Sequence, residues 1–282
     1  MKHKTALVLE GGGLRGAYTA GALSWLIDQE ISFDSAYGIS TGAVWLTNYL
    51  MKSKENLKSF STKYITDKRI VGLKPLLRCG RLVDCEYLFD EIMTKELGFD
   101  IAPLREIKTD AKIGVYVLEE GKTEYLPVKE IEMQELKAST SLPILGQVFE
   151  SHGRHLLDGG ITDMIPIEQA IADGCDRCLV ITTKPGDYVR KPAKKFVVSV
   201  MKRSYPQCEN ISRDYEIRHL NYQKQIALIK ELQSEEKAVY VYPSRPSKVT
   251  RLGGSQEELE ELYDLGYADM EAQKEAIKAL FQ

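Results

Sequence analysis

The chain has 282 residues, 43% hydrophobic and 28% charged, which is ample apolar material for one large α/β domain with insertions or for two smaller domains. A formal net charge of -3 and a pI near 5.9 carry none of the cationic excess of a nucleic-acid binder. No window reaches the roughly 20 apolar residues of a membrane span, and the basic start at residues 1–5 leads into only four apolar residues, Ala6 to Leu9, too few for a secretory leader.

In chain order, residues 5–9 (TALVL) form a β-branched and aliphatic run ending in glycines, the pattern of a buried strand. Residues 14–29 predict a helix whose small side chains, Gly16, Ala17, Ala20, Gly21 and Ala22, let it lie close against a sheet. A second short strand is expected at 31–37. The segment 43–51 (AVWLTNYLM) is apolar all round, as a buried helix is. Residues 52–100 turn polar and basic, with Leu, Tyr and Phe at helical spacing in 84–97, and predict an inserted helical cap. Residues 112–118 and 123–128 read as a hairpin around the turn 119–122. A helix at 130–138, a strand at 154–157, a helix at 165–172 and a strand at 177–183 (RCLVITT) follow. Residues 184–214 form a second polar insertion, 218–232 an amphipathic helix and 238–243 a late strand. Ser255 and Glu258 make a capping box for the last helix, which is acidic at its start and carries Lys274 and Lys278 near its end. Strands alternating with helices predict a three-layer α/β/α fold with a mostly parallel central sheet.

Five cysteines without a secretion signal read as reduced thiols, expected in the cytoplasm. Cys175 and Cys178 form a C-x-x-C, but Cys79 and Cys85 are poorly spaced to complete a zinc site. Two small buried residues where a strand begins is the reading preferred to a redox pair.

Gly11-Gly12-Gly13-Leu14-Arg15-Gly16 sits between a strand and a helix with the spacing G-x-G-x-x-G. Unpaired N–H groups at a helix start attract negative charge. The loop therefore suits a dinucleotide pyrophosphate, with Asp34 placed for a ribose, or an oxyanion in acyl transfer; a plain tight turn is the third reading. Gly38-Ile39-Ser40-Thr41-Gly42 is a G-x-S-x-G between a strand and a buried helix, the context of a nucleophile elbow. Side chains at 38 and 42 would clash with neighbouring backbone, and Ser40 is left at the tip. A dinucleotide site gives Ser40 no task.

Serine needs a group to take its proton. His3 lies near the chain start, His152 and His155 flank the strand leading to Asp158, and His219 sits in a polar helix (IRHLNYQKQI), so none occupies a late strand-end loop as a Ser…Asp…His triad requires. Asp158 ends an apolar strand and is followed by Gly159 and Gly160, which allow a sharp turn over the sheet edge. In a parallel sheet the carboxyl ends of strands share one rim, where Ser40 and Asp158 can meet; taken alone, Asp-Gly-Gly is also a turn signal.

With GGGLRG (11–16), GISTG (38–42), ASTSLP (138–143) and DGG (158–160) in this order, the chain resembles the patatin-like phospholipase family over roughly residues 5–185. The resemblance implies a Ser40–Asp158 dyad and oxyanion stabilisation by the loop at Gly11, Gly12 and Gly13, aided by Arg15. It implies hydrolysis of fatty acyl esters, often of phospholipids or lysophospholipids, with no cofactor or metal. A catalytic domain is expected at 1–185, with the helical cap at about 52–100 inserted in it, and a C-terminal helical extension at 186–282 completing the same domain. Glu10 stands where many members carry Asp or a small residue, and is expected to point away from the oxyanion. Rival readings are an NAD(P)-binding oxidoreductase using GGGLRG and a non-catalytic lipid-binding member of the fold. Residues 184–203 interleave Lys184, Arg190, Lys191, Lys194, Lys195, Lys202 and Arg203 with Phe196, Val197, Val198 and Val200, a pattern that suits either a solvated helix or peripheral contact with an anionic bilayer.

Overall fold

β1 (Thr5–Leu9) is buried along its whole length because helices cover it on both sides. The computed structural model describes residues 3–282, so Met1 and Lys2 of the basic start lie outside the described residues. Side chains alternate across a strand: Leu7 and Leu9 enter one apolar core and Ala6 and Val8 another. Beside β1 run β2 (Ser35–Ile39), β3 (Asp110–Val117), β4 (Lys122–Pro127), β5 (Phe149–Ser151), β6 (Arg154–Asp158), β7 (Arg177–Ile181) and β8 (Ala238–Val241). The order is β5-β6-β3-β2-β1-β7-β8, with β4 also paired to β3. The central run β3-β2-β1-β7-β8 is parallel, and β4, β5 and β6 join antiparallel.

The Leu7 and Leu9 face packs against α1 (Ala17–Asp28), α2 (Thr41–Leu50) and α3 (Lys54–Thr62). The cap continues through α4 (Leu73–Cys79) and a wide-wound helical segment, Tyr87–Glu96, before α5 (Met133–Thr140) returns to the sheet. The opposite face is covered by α6 (Ile167–Ala172), α7 (Lys195–Ser204) and α8 (Glu209–Ser234), so the chain makes an α/β/α sandwich. α9 (Gln256–Ala272) and α10 (Lys274–Ala279) come back to the first face.

Several expectations shift. The predicted helix at 14–29 begins as a tight 3-10 turn, Gly13–Gly16, before α1. Its small residues serve other helices rather than the sheet. Gly21 lies under the backbone of Tyr263 in α9, Gly266 of α9 lies under the backbone of Tyr18, and Gly16 faces Trp45 of α2. The second strand is Ser35–Ile39 rather than 31–37, because Asp34 turns back to accept hydrogen bonds from Thr5 N and Oγ1 (both 2.9 Å). The helix expected at 218–232 runs from 209 to 234. Ser255 and Glu258 do form the capping box of α9.

Candidate active site

β2 delivers its chain straight into α2, and the turn between them is closed by sterics. A Cβ on Gly38 would come within 2.6 Å of Gly42 O, and one on Gly42 within 2.8 Å of the carbonyls of Leu9 and Glu10. Real Cβ atoms do not approach that closely, so the elbow exists only with glycine at both positions. Ser40 takes up the remaining bend at φ 56°, ψ -130°, an arrangement that costs a non-glycine residue on the order of 1–3 kcal/mol and concentrates at functional sites. The residue is only 8% exposed.

Ser40 Oγ donates to Asp158 Oδ2 at 2.7 Å. The route to that contact differs from a shared rim of parallel strand ends. β6 runs antiparallel to β3, with Asp158 opposite Val115, while β2 runs parallel to it, with Ile39 opposite Gly114. β3 projects past the end of β2, β6 pairs with the projecting part, and Asp158 reaches the level of Ser40 from the far side. Gly159 then passes against the backbone of Gly114, where a Cβ would sit 2.8 Å from its carbonyl. Asp158 Oδ1 accepts from Gly160 N at 2.7 Å. Burial pushes the Asp158 carboxyl above the ordinary range, against the opposing pull of the Ser40 hydroxyl, the Gly160 N–H, Arg218 and Arg251.

The glycine loop lies against the serine: a Cβ on Gly11 would stand 2.6 Å from Ser40 Cβ. Its N–H groups are not equivalent. Gly12 N donates to Thr41 Oγ1 at 3.1 Å, and Gly11 N makes a long bond of 3.4 Å to Met164 O. Gly13, at φ 60°, has no N–H partner among the described residues outside its own turn. Glu10 does face away. Its carboxylate accepts from Thr183 N (2.7 Å) and Thr183 Oγ1 (2.9 Å) and forms a buried ion pair with Lys184, whose ammonium is pushed down to about 8 by desolvation.

Ser40 stands where two cavities meet. One is polar, about 380 Å³ of atom-free space including its mouth, and contains Asp158, the glycine loop and the side chains of Arg15, Arg190, Arg218 and Arg251. The other is apolar, about 680 Å³ on the same measure, and is walled by α2 (Val44, Trp45) and by the cap (Phe60, Ile70, Val83, Leu88). Both share Gly13, Leu142 and Arg251 as well as Ser40. Sequence reasoning placed Arg15 at the site, assigned Arg190 to the basic set 184–203 instead, and missed Arg218 and Arg251, because Arg218 opens the stretch IRHLNYQKQI of an amphipathic helix and Arg251 sits in a featureless loop.

Other candidates are placed elsewhere. Asp34 is at the amino end of β1, opposite the glycine loop, so the loop and Asp34 do not form the two halves of a dinucleotide site. None of the four histidines lines either cavity. His3 pairs with Asp176 and His155 with Glu119. Cys175 and Cys178 are free and buried. Among the described residues no group of three or more His, Cys, Asp or Glu is placed to hold a metal ion, and no helix is long and apolar enough to cross a membrane. The basic set expected across 184–203 loses two members, since Lys184 is buried on Glu10 and Arg190 turns into the polar cavity.

Residues 7–171, more than half of the chain, match the family model described as patatin-like phospholipase, and residues 208–282 match a domain of unknown function (DUF6363). The chain is 26% identical over 272 residues to the uncharacterized protein YjjU of Escherichia coli (strain K12), covering 93% of this chain and 75% of that one. VipD from Legionella pneumophila aligns over 99% of this chain and 67% of its own, at 14% identity and a TM-score of 0.48.

Proposed function

The chain belongs to the patatin-like phospholipase family, and from that premise we propose that it hydrolyses acyl esters of lipids, with Ser40 as nucleophile and Asp158 as the group that takes and returns its proton. The observation that carries this reading is the 2.7 Å hydrogen bond between a strained, buried serine and a carboxylate whose proton affinity burial has raised. A base with affinity nearer neutrality transfers protons more effectively in both directions.

Ser40 Oγ attacks the acyl carbon while its proton passes to Asp158. Negative charge develops on the former carbonyl oxygen, beside the Gly13 N–H and the Arg15 guanidinium, and losing one such donor costs about 2.7–4 kcal/mol of barrier. The C–O bond to the alcohol breaks, and the alcohol leaves with the proton from Asp158. Water then gives a proton to Asp158 and attacks the acyl-serine; the fatty acid departs and Ser40 is reprotonated. The apolar cavity holds the acyl chain.

Lipid reaches that cavity past α4. The excursion 72–82 stands on the bridge Val71–Val83, two residues that line the apolar cavity, and it exposes Leu73 (73%) and Leu77 (88%). Residues 68–82 hold five basic side chains and no acidic one; Arg69 and Arg78 pair with Asp67 and Asp84, which leaves Lys68, Lys74 and Arg81 beside the exposed leucines. Exposed leucines flanked by cations at the rim of the apolar cavity suit an anionic bilayer surface. Residues 186–282 complete the same domain, since β8 extends the sheet and α9 packs on α1.

The test is fluorophosphonate labelling together with hydrolysis of a chromogenic butyrate ester. Ser40→Ala is expected to lose both labelling and at least ~10³-fold of turnover, and Asp158→Asn to lose comparable turnover. Undiminished hydrolysis by Ser40→Ala ends the reading, and a wild-type protein that neither labels nor hydrolyses favours a non-catalytic lipid binder.

A further inference from the structure

Arg15, Arg190, Arg218 and Arg251 come from four separate parts of the chain: the turn after β1, the loop after β7, α8 and the loop before α9. All four line the polar cavity beside Ser40. Among the described residues, none of the four lies within ion-pair distance of a carboxylate, although every other cation around the cavity is matched, Lys184 by Glu10. Among the described residues none of the four guanidinium groups has a hydrogen-bond acceptor, and the Nε atoms of Arg190 and Arg218 are buried with no partner there. Among the described residues Asp158 is the sole carboxylate lining the cavity, and it already accepts from Ser40 and Gly160.

A guanidinium carries five donors, and leaving buried donors unmatched costs free energy that native structures rarely tolerate without a purpose. Repulsion adds to the cost: burial and the nearby Arg190 and Arg251 push Arg218 down to about 9. What holds the cluster is aromatic. Arg190 lies over Tyr222 at 5.0 Å and Arg218 over Tyr215 at 5.4 Å. A ring occupies one face of the guanidinium plane and leaves the donor edges for a planar, multi-oxygen anion.

We propose that Arg190, Arg218 and Arg251, next to Arg15 on the oxyanion side of the cavity, form a headgroup subsite for a phosphate ester beside the scissile acyl ester, and that it selects lipids with a net anionic headgroup over zwitterionic or neutral ones. The identity of the ligand as a substrate rests on Ser40 being the nucleophile; the anion site itself does not. Ser40 stands between an apolar cavity and a cationic one, which matches a molecule carrying an acyl chain on one side of an ester and a phosphate on the other. Three net positive charges remain when the four arginines are set against Asp158. No carboxylate of the cavity is left for a headgroup ammonium, and the faces of Tyr188 and Tyr222 are taken by Lys184 and Arg190. Choline or ethanolamine therefore finds no partner here.

Binding measured on the Ser40→Ala protein, which does not turn over, tests this directly. Calorimetric titrations below the critical micelle concentration use dihexanoyl phosphatidic acid, dihexanoyl phosphatidylcholine, dihexanoylglycerol and inorganic phosphate. Phosphatidic acid is expected to bind at least tenfold more tightly than each of the other three, and Arg190→Gln in the same background to reduce that preference at least tenfold. Equal affinity for the three lipids, or a preference that survives Arg190→Gln, overturns the proposal. Inorganic phosphate binding as tightly as phosphatidic acid overturns the headgroup assignment in favour of a free-anion site. Should Arg190→Gln fail to fold, Arg251→Gln carries the same expectation from a different loop. Selective binding of phosphatidic acid with no hydrolysis by the wild-type protein supports the subsite and sinks the nucleophile reading instead, so the two failures are distinguishable.

Discussion

Ser40 Oγ and Asp158 Oδ2 meet at 2.7 Å although 118 positions separate them in the chain. One arrives on a parallel strand through a bend that only glycine neighbours permit, the other on an antiparallel strand entering from beyond the sheet end. Both groups are nearly sealed from solvent, and that burial governs how the pair behaves with pH.

Burial raises the Asp158 carboxyl above its ordinary range, and in the proposed role of base it works only when deprotonated. The acid limb of kcat/KM for a neutral chromogenic ester is therefore expected above the usual aspartate value of about 3.9. Arg218 pulls the carboxyl down, so Arg218→Gln is expected to move the limb higher still. A carboxyl raised in the folded state contributes its full stability below the unfolded value and loses it as pH rises through the folded value. Melting temperatures of wild type and Asp158→Asn across pH 3–8 are expected to diverge, the wild type losing ground as pH rises. An acid limb at or below the ordinary range, or parallel melting curves, contradicts the account.

Glu10 sits directly before the glycine loop and Lys184 three residues past the end of β7, so their pair ties the loop to the sheet. Removing one member of a buried pair strands the other charge, at a cost of about 3–5 kcal/mol. Lys184→Met is expected to fall in that range by urea unfolding. The double variant Glu10→Gln with Lys184→Met is expected to cost clearly less than the sum of the single changes, and additive costs would show that the two groups do not depend on each other.

Much of the layout was legible in the sequence because local signals carried it. The apolar run of β1, the hairpin of β3 and β4 and the capping box of α9 each depend on neighbouring residues. The Ser40 elbow was legible for a steric reason, since its two glycines are required by backbone crowding, Gly38 by Gly42 within the turn and Gly42 by the Leu9 and Glu10 carbonyls of the neighbouring strand end. The direction of β6 was not legible: a five-residue strand has the same pattern whichever way it runs, and only the projection of β3 past β2 decides it. The arginine cluster was illegible for a different reason. Each member is separated from the others by tens of residues, and an inward-facing arginine in a polar helix has the same local pattern as a solvated one.

The apolar cavity begins one turn along α2 from Ser40, the proposed nucleophile, at Val44, which is 3% exposed. Val44→Trp fills space next to Ser40, where the proposed reaction places the acyl carbon. One methylene in a hydrophobic pocket is worth about 1–3 kcal/mol. The ratio of kcat/KM for an octanoate ester to that for a butyrate ester is expected to drop at least tenfold in the variant. An unchanged ratio would place the acyl chain outside this cavity.

The α4 excursion separates two routes to a membrane. Fully burying a leucine is worth about 1.5–3 kcal/mol, and interfacial insertion recovers part of that from each of Leu73 and Leu77. The double variant Leu73→Ser with Leu77→Ser is expected to bind vesicles containing phosphatidylglycerol at least tenfold more weakly in co-sedimentation. Raising salt is expected to weaken wild-type binding through Lys68, Lys74 and Arg81, since exposed charges are screened. The opposing route runs through 184–203, where Phe196 is 76% exposed on α7. If Phe196→Ser abolishes binding while the leucine variant retains it, contact is made by α7, and the exposed leucines of α4 lose their assigned role at the mouth of the acyl cavity.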